Sequence, residues 1–218
     1  MRDQIKDRTE AGRLLAEKLA AYAGRPDLVV LALPRGGVPV AFEIAKALRA
    51  PLDVFLVRKL GVPGFEELAL GAITMDGMRL VDPDMVEEFG LPNSEIAKVI
   101  ATETRELERR KTLYRAGHRP IDVKGRTVIL VDDGAATGST MRAAIRAIRG
   151  MGCAQIVAAI GVAPLSTYLF LESEADEVLC VKTPRMFRSV GQFYERFPQV
   201  TDEEVLRLLK SPSARSAA

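Results

Sequence analysis

Residues 128–140 read VILVDDGAATGST, and this stretch decides the fold. Four apolar residues in a row predict a strand buried on both faces, because a strand with one wet face alternates apolar and polar side chains. Two adjacent carboxylates close it, and small or hydroxyl-bearing residues fill positions 134–140 before a helical pattern resumes. That pattern runs to Arg149 and sets Met141, Ala144, Ile145 and Ile148 on one side. A strand-to-helix loop aims backbone N–H groups at the helix N-terminus, which attracts anions. Small residues let a phosphate approach that backbone, and the Thr137, Ser139 and Thr140 hydroxyls add donors. Asp132 and Asp133 suit a group rich in hydroxyl donors, such as a ribose diol, or a hard cation. Diol plus phosphate points to a ribose 5-phosphate unit. A plain turn would also use Asp and Gly, but both features joined behind a buried strand favour a ligand. Other phosphate and nucleophile motifs fail: no GxxxxGK[ST], GxGxxG or GxSxG is present.

The same rhythm extends outward. LVVLAL (28–33) and LDVFLV (52–57) precede this strand as buried runs, and QIVAAIGV (155–162) and EVLCVK (177–182) follow it. Helical periodicity covers 10–23, the segment after PRGGVP to Ala50 (Phe42, Ile44, Ala45, Leu48), 93–116, 164–173 and 202–210. Residues 68–81 read as a hairpin around Asp76-Gly77. The expected fold is therefore α/β: a three-layer, doubly wound, mostly parallel sheet with one antiparallel strand or hairpin. One domain over 1–218 is expected, with a helical insertion at about 82–118, an irregular aromatic segment at 183–200 and a frayed tail at 211–218. Ligands of such sheets bind beyond the carboxyl ends of the strands, where the loops after Leu33, Val57 and Val131 fall.

Composition narrows the function classes. The chain has 218 residues, 48% hydrophobic and 28% charged, with a formal net charge of +2. So small a charge gives no global field toward nucleic acid or anionic lipid. No apolar run approaches the roughly 18 residues of a membrane span, and the charged N-terminus lacks a signal-peptide core, so a cytoplasmic protein is expected. Cys153 and Cys180 are isolated, and His118 is the single histidine, which argues against a disulfide framework, a multi-histidine metal site and a histidine triad. The Arg- and Lys-rich helix (Arg105, Arg109, Arg110, Lys111, Arg115, Arg119) interleaves Glu103, Glu106 and Glu108. A solvated, salt-bridged face explains it better than nucleic-acid binding.

The 128–140 stretch resembles the phosphoribosyl pyrophosphate (PRPP) motif of type I phosphoribosyltransferases, in a branch without a settled substrate. The resemblance implies that Asp132 and Asp133 contact the ribose hydroxyls, and that Gly134, Ala135, Ala136, Thr137, Gly138, Ser139 and Thr140 hold the 5-phosphate. Leu33-Pro34-Arg35-Gly36-Gly37-Val38-Pro39 resembles the family's pyrophosphate loop, with Arg35, Gly36 and Gly37 binding the leaving group largely through main-chain N–H. The glycine pair would there allow unusual backbone angles. Arg58 and Lys59 match the basic residues that reach pyrophosphate, ahead of a flexible loop. The 183–200 segment matches the hood over the nitrogenous base, with Phe187 and Tyr194 as stacking candidates.

The implied activity is Mg²⁺-dependent transfer of phosphoribosyl from PRPP to a nitrogenous, nucleobase-like acceptor, releasing pyrophosphate. Mg²⁺ would be held through PRPP and water, with Asp132 and Asp133 as further candidates. The alternative is a non-catalytic PRPP- or nucleotide-binding regulatory module. Members are often dimeric, so a homodimer is among the expectations. One departure is informative. In the 6-oxopurine branch an aspartate thought to act as a base precedes the Thr-Gly, and here that position is Ala136. Asp133→Asn is expected to leave folding intact, to weaken PRPP binding, and to stabilise the free protein by removing one of two like charges.

Overall fold

The computed structural model of the chain describes residues 4–75, 77–115 and 120–211. Asp76 of the expected turn, His118, Arg119 and tail residues 212–218 lie outside the described residues, as does the side chain of Arg115.

A parallel five-stranded sheet forms the centre, in the order β2-β1-β6-β7-β8. The strands are β1 (Leu28–Ala32), β2 (Leu52–Val54), β6 (Thr127–Gly134), β7 (Gln155–Val162) and β8 (Glu177–Lys182). Helices α1 (Arg8–Lys18) and α2 (Gly37–Leu48) cover one face, and α5 (Ser139–Gly150) and α6 (Leu165–Glu172) the other. Alternate residues of each strand feed two cores: Leu28, Val30 and Ala32 join Leu15, Ile44 and Leu48 on the first face, whereas Val29, Leu31 and Leu130 join Met141, Ile145 and Ile148 on the second. Cover on both faces is the physical reason for the unbroken apolar runs.

The antiparallel excursion is larger than a hairpin. β3 (Val57–Val62), β4 (Phe65–Thr74) and β5 (Arg79–Val81) form a separate three-stranded sheet. The expected strand 52–57 therefore divides: Leu52–Val54 stays at the edge of the central sheet, and Val57 begins the second one. One apolar run concealed two strands because Phe55 and Leu56, which join them, are also buried. Helices α3 (Pro83–Glu88) and α4 (Asn93–Arg115) follow, and α4 packs on β3. Helix α7 (Asp202–Leu209) contacts α2 and α4. Among the described residues no helix is long and apolar enough to cross a membrane.

Strand order reverses between β1 and β6. The chain leaves β1 through α2 toward β2 on one side, and leaves β6 through α5 toward β7 on the other. The two connections part and open a crevice at the carboxyl ends of these strands, where ligands of open α/β sheets bind.

Candidate active site

Both glycine-bearing loops meet in that crevice. Ala32 and Val131 are register partners, and Leu33 N–H donates to the Val131 carbonyl at 2.9 Å. The loop after β1, with a cis Pro34–Arg35 peptide, is thus pressed against the end of β6. Gly36 has φ −62°, an ordinary helical value, so unusual backbone angles are not what it supplies. Space demands it: a Cβ there would lie 2.1 Å from Asp133 Oδ2. At Gly37 a Cβ would lie 2.5 Å from the Val131 carbonyl oxygen.

The phosphate-type loop has the geometry its residues imply. Gly138 adopts φ +73°, a left-handed conformation costly for any residue with a Cβ. The N-cap Gly138 has no side chain to cap α5, and of the first-turn N–H groups Ser139 reaches the Thr137 hydroxyl only at 3.4 Å. Thr137 and Ser139 share a hydroxyl hydrogen bond of 2.9 Å, and Thr167 donates to the Ala136 carbonyl at 2.7 Å. Ala136, Thr137 and Thr140 are exposed, while Ala135 and Gly138 are buried beneath them.

The two carboxylates are not equivalent. Asp133 is 9% exposed and ion-paired with Arg8 from the first turn of α1, whose Nε donates to Oδ2 at 2.7 Å. Arg8 Nη1 also donates to the Pro198 carbonyl at 2.7 Å, and its guanidinium lies 3.8 Å from the Phe197 ring centre. Asp132 keeps intermediate exposure, and its Oδ1 accepts the Asp133 N–H at 2.9 Å. Burial, and then the Asp133 charge beside it, push the Asp132 carboxyl well above the usual carboxylate range. A stabilising gain from neutralisation therefore attaches to Asp132; Asn at 133 would strip Arg8 of its buried partner.

The hood residues divide as well. Tyr194 is 3% exposed, donates its hydroxyl to the Asp133 carbonyl at 2.7 Å and stacks on Phe197 at 4.9 Å. Burial raises its phenol pKa, with the Asp133 charge second. Its ring is spent inside the protein, so it is no stacking platform for a base. Phe187 is half-buried and stacked on Phe193 at 5.7 Å.

The cations occupy other places than expected. Arg58 and Lys59 sit within β3 of the small sheet rather than after a central strand. They line a cavity of about 530 Å³ together with Pro34, Thr140 and the α4 residues Lys98, Thr102, Glu103 and Arg110. The cavity thus joins the loop after β1, the start of α5 and the inserted helix. Arg58 Nε donates to Glu103 Oε2 at 2.5 Å. The Arg35 side chain points instead toward α7, 3.6 Å from Asp202, which also accepts the Tyr114 hydroxyl. Burial, then that hydrogen bond, push the Tyr114 phenol up to about 12.

Sequence reading missed Arg8, Lys98, Glu103 and Asp202 as neighbours of the site. Only the helical periodicity of α4, which sets Lys98 and Thr102 one above the other, carried a signal. Elsewhere α4 is salt-bridged as expected: Glu106 binds Arg109 and Arg110 at 2.8 and 2.7 Å, and Arg109, then Arg110, hold its carboxyl down at about 2. Among the described residues no three His, Cys, Asp or Glu side chains converge as a metal cage. The oxygen donors at the strand end suit a hard cation that brings further ligands with its substrate.

Comparison with known proteins places the chain in a family. Residues 1–197 match the family model described as "Phosphoribosyl transferase domain". The chain is 46% identical over 203 residues to the Mycobacterium tuberculosis protein named "Putative phosphoribosyl transferase MT0597". That match takes in 93% of this chain but 46% of the mycobacterial protein, so the chain spans about half the length of the curated relatives it matches. The crystal structure of TT1426 from Thermus thermophilus superposes with a TM-score of 0.87 at 41% identity, over 94% of this chain and 97% of that one. Because that family model matches residues 1–197 of the 218, the chain belongs to the phosphoribosyl transferase domain family.

Proposed function

We propose that the protein transfers the 5-phosphoribosyl group of PRPP to a nitrogenous, nucleobase-like acceptor and releases pyrophosphate, with Mg²⁺. One observation carries the reading: the loop after β1 packs its glycines on the carboxylate end of β6 at the switch point, beside a cavity lined by Arg58 and Lys59. In this reading the uncapped N-terminus of α5 and the Thr137, Ser139 and Thr140 hydroxyls bind the 5-phosphate. Asp132, the less buried carboxylate, holds the ribose hydroxyls. Asp133 supports it from below, fixed by Arg8 and packed against Gly36.

The bond from C1 of the ribose to the pyrophosphate oxygen breaks as the acceptor nitrogen bonds to C1, and the oxygen leaves with the electron pair. Backbone N–H groups of Arg35 and Gly36, with Arg58 and Lys59, face the charge that develops on the leaving group, while the Gly37 N–H, expected to share this role, donates instead to the Leu33 carbonyl at 3.1 Å. Preorganised donors of this kind contribute about 3 kcal/mol each. Mg²⁺, held through substrate oxygens and water with Asp132 nearby, would supply further neutralisation of the pyrophosphate. Ala136 stands where the 6-oxopurine branch has its aspartate, which argues against a 6-oxopurine acceptor and leaves adenine-like or other acceptors open.

Calorimetric titration with PRPP, ribose 5-phosphate and a nucleoside monophosphate tests the site, and failure of all three to bind refutes the proposal. A metabolite mixture incubated with PRPP and Mg²⁺ and read by mass identifies the acceptor as a product heavier by one phosphoribosyl group. PRPP binding with no turnover over a broad acceptor panel would instead make the protein a regulatory PRPP- or nucleotide-binding module.

A further inference from the structure

Helix α4 is the wall of the cavity that the PRPP motifs do not explain. It carries Lys98, Thr102, Glu103 and Arg110 to the same space as Arg58, Lys59 and Thr140. Two lysines, two arginines and one glutamate are among the lining residues. Arg110 is held by Glu106 on its own helix at 2.7 Å. Lys98 is exposed and forms no ion pair among the described residues. Arg58 is held by Glu103, whose carboxylate stands in the cavity where an anionic oxygen of a ligand would meet that guanidinium. The pair is partly exposed, at 32% for Arg58 and 20% for Glu103, and partly exposed pairs exchange partners at small cost.

Resting on the phosphoribosyl-transfer reading, we propose that α4 completes the leaving-group subsite. Lys98 is a further cation for pyrophosphate, and Glu103 is an internal anion that positions Arg58 until pyrophosphate takes its place. Glu103 acts through Arg58 and is a positioning residue. Arg35 shows the same arrangement outside the cavity, held by Asp202 of α7. An internal anion of this kind keeps the subsite cations ordered and selects for a ligand of higher charge than one carboxylate. A doubly or more highly charged phosphate displaces Glu103, whereas a singly charged ligand does not.

The test uses the full chain and two probes, inorganic pyrophosphate and ribose 5-phosphate, titrated calorimetrically against wild type, Glu103→Gln and Lys98→Ala. Removing a competing, partly exposed carboxylate should tighten pyrophosphate binding by about threefold to tenfold, and removing Lys98 should weaken it by a similar factor. Ribose 5-phosphate, which uses the loop at α5 and not α4, should bind all three proteins alike. A gain of affinity is a result that damaged folding does not produce. Unchanged or weaker pyrophosphate binding by Glu103→Gln, or unchanged binding by Lys98→Ala, overturns the role of α4 while leaving the transferase reading in place. Wild-type protein that binds neither probe overturns the role of α4, and overturns the transferase reading as well if PRPP and the nucleoside monophosphate also fail to bind.

Discussion

Replacing Arg8 by Met removes the guanidinium that holds Asp133 and keeps much of the side chain's length. The lost contacts are two 2.7 Å hydrogen bonds, to the Asp133 carboxylate and the Pro198 carbonyl, and the stacking on Phe197 at 3.8 Å. Both partners of the ion pair are nearly enclosed, with side-chain exposures of 11% and 13%. Asp133 would remain buried without a counter-charge and beside a second carboxylate, Asp132. Breaking a buried pair from one side costs about 3–5 kcal/mol. For a chain of this size each kcal/mol lowers Tm by about 2–4 °C, so the fall should be roughly 6–20 °C. Thermal unfolding followed by circular dichroism measures it. The double variant Arg8→Met/Asp133→Asn should be more stable than the sum of its single effects by at least about 1 kcal/mol, since it leaves no orphaned charge. A Tm loss under about 2 °C for Arg8→Met, or strict additivity in the cycle, refutes the claim that this pair braces the site.

Two further outcomes concern the same crevice. The Asp132 carboxyl has a higher pKa in the folded than in the unfolded chain, so stability is lost as pH rises through its folded value. Asp132→Asn should therefore raise Tm at pH 7.5, with the gain vanishing below roughly pH 4, and should weaken PRPP binding; an equal gain at both pH values would contradict the assigned cause. Gly36→Ala places a methyl 2.1 Å from Asp133 Oδ2 and must displace either the loop or the carboxylate. A loss of about 1–3 kcal/mol in urea unfolding together with weakened pyrophosphate binding is expected, and an unchanged affinity would show that the loop backbone does not contact that ligand.

Much of the central architecture was legible along the chain. The strands 28–33, 127–132, 155–162 and 177–182 announced themselves because burial on both faces requires unbroken apolar runs, and the loop at 134–140 because small and hydroxyl-bearing residues stand together there. The run 52–57 was misread because a buried turn between two sheets is as apolar as a strand. Tyr194 looked like a stacking platform for a base because an aromatic side chain in an irregular segment carries no mark of whether its ring faces outward. Here its hydroxyl finds the Asp133 carbonyl and its ring is enclosed.

By itself, then, the amino-acid sequence determined the layers of the fold, the glycine-rich loops and the carboxylate pair, since each depends on the periodicity or chemistry of neighbouring residues. Only the tertiary structure decided which carboxylate is braced and which cations share a cavity. Arg8 and Asp133 stand 125 residues apart, and Arg58 and Glu103 stand 45 apart. Ion pairs at such separations leave no periodic trace, because a single charged residue can fit many local contexts and its partner is set by packing alone. The difference between Asp132 and Asp133 is therefore written in the approach of α1 to the end of β6, and the charge of the cavity beside them in the approach of α4 to β3.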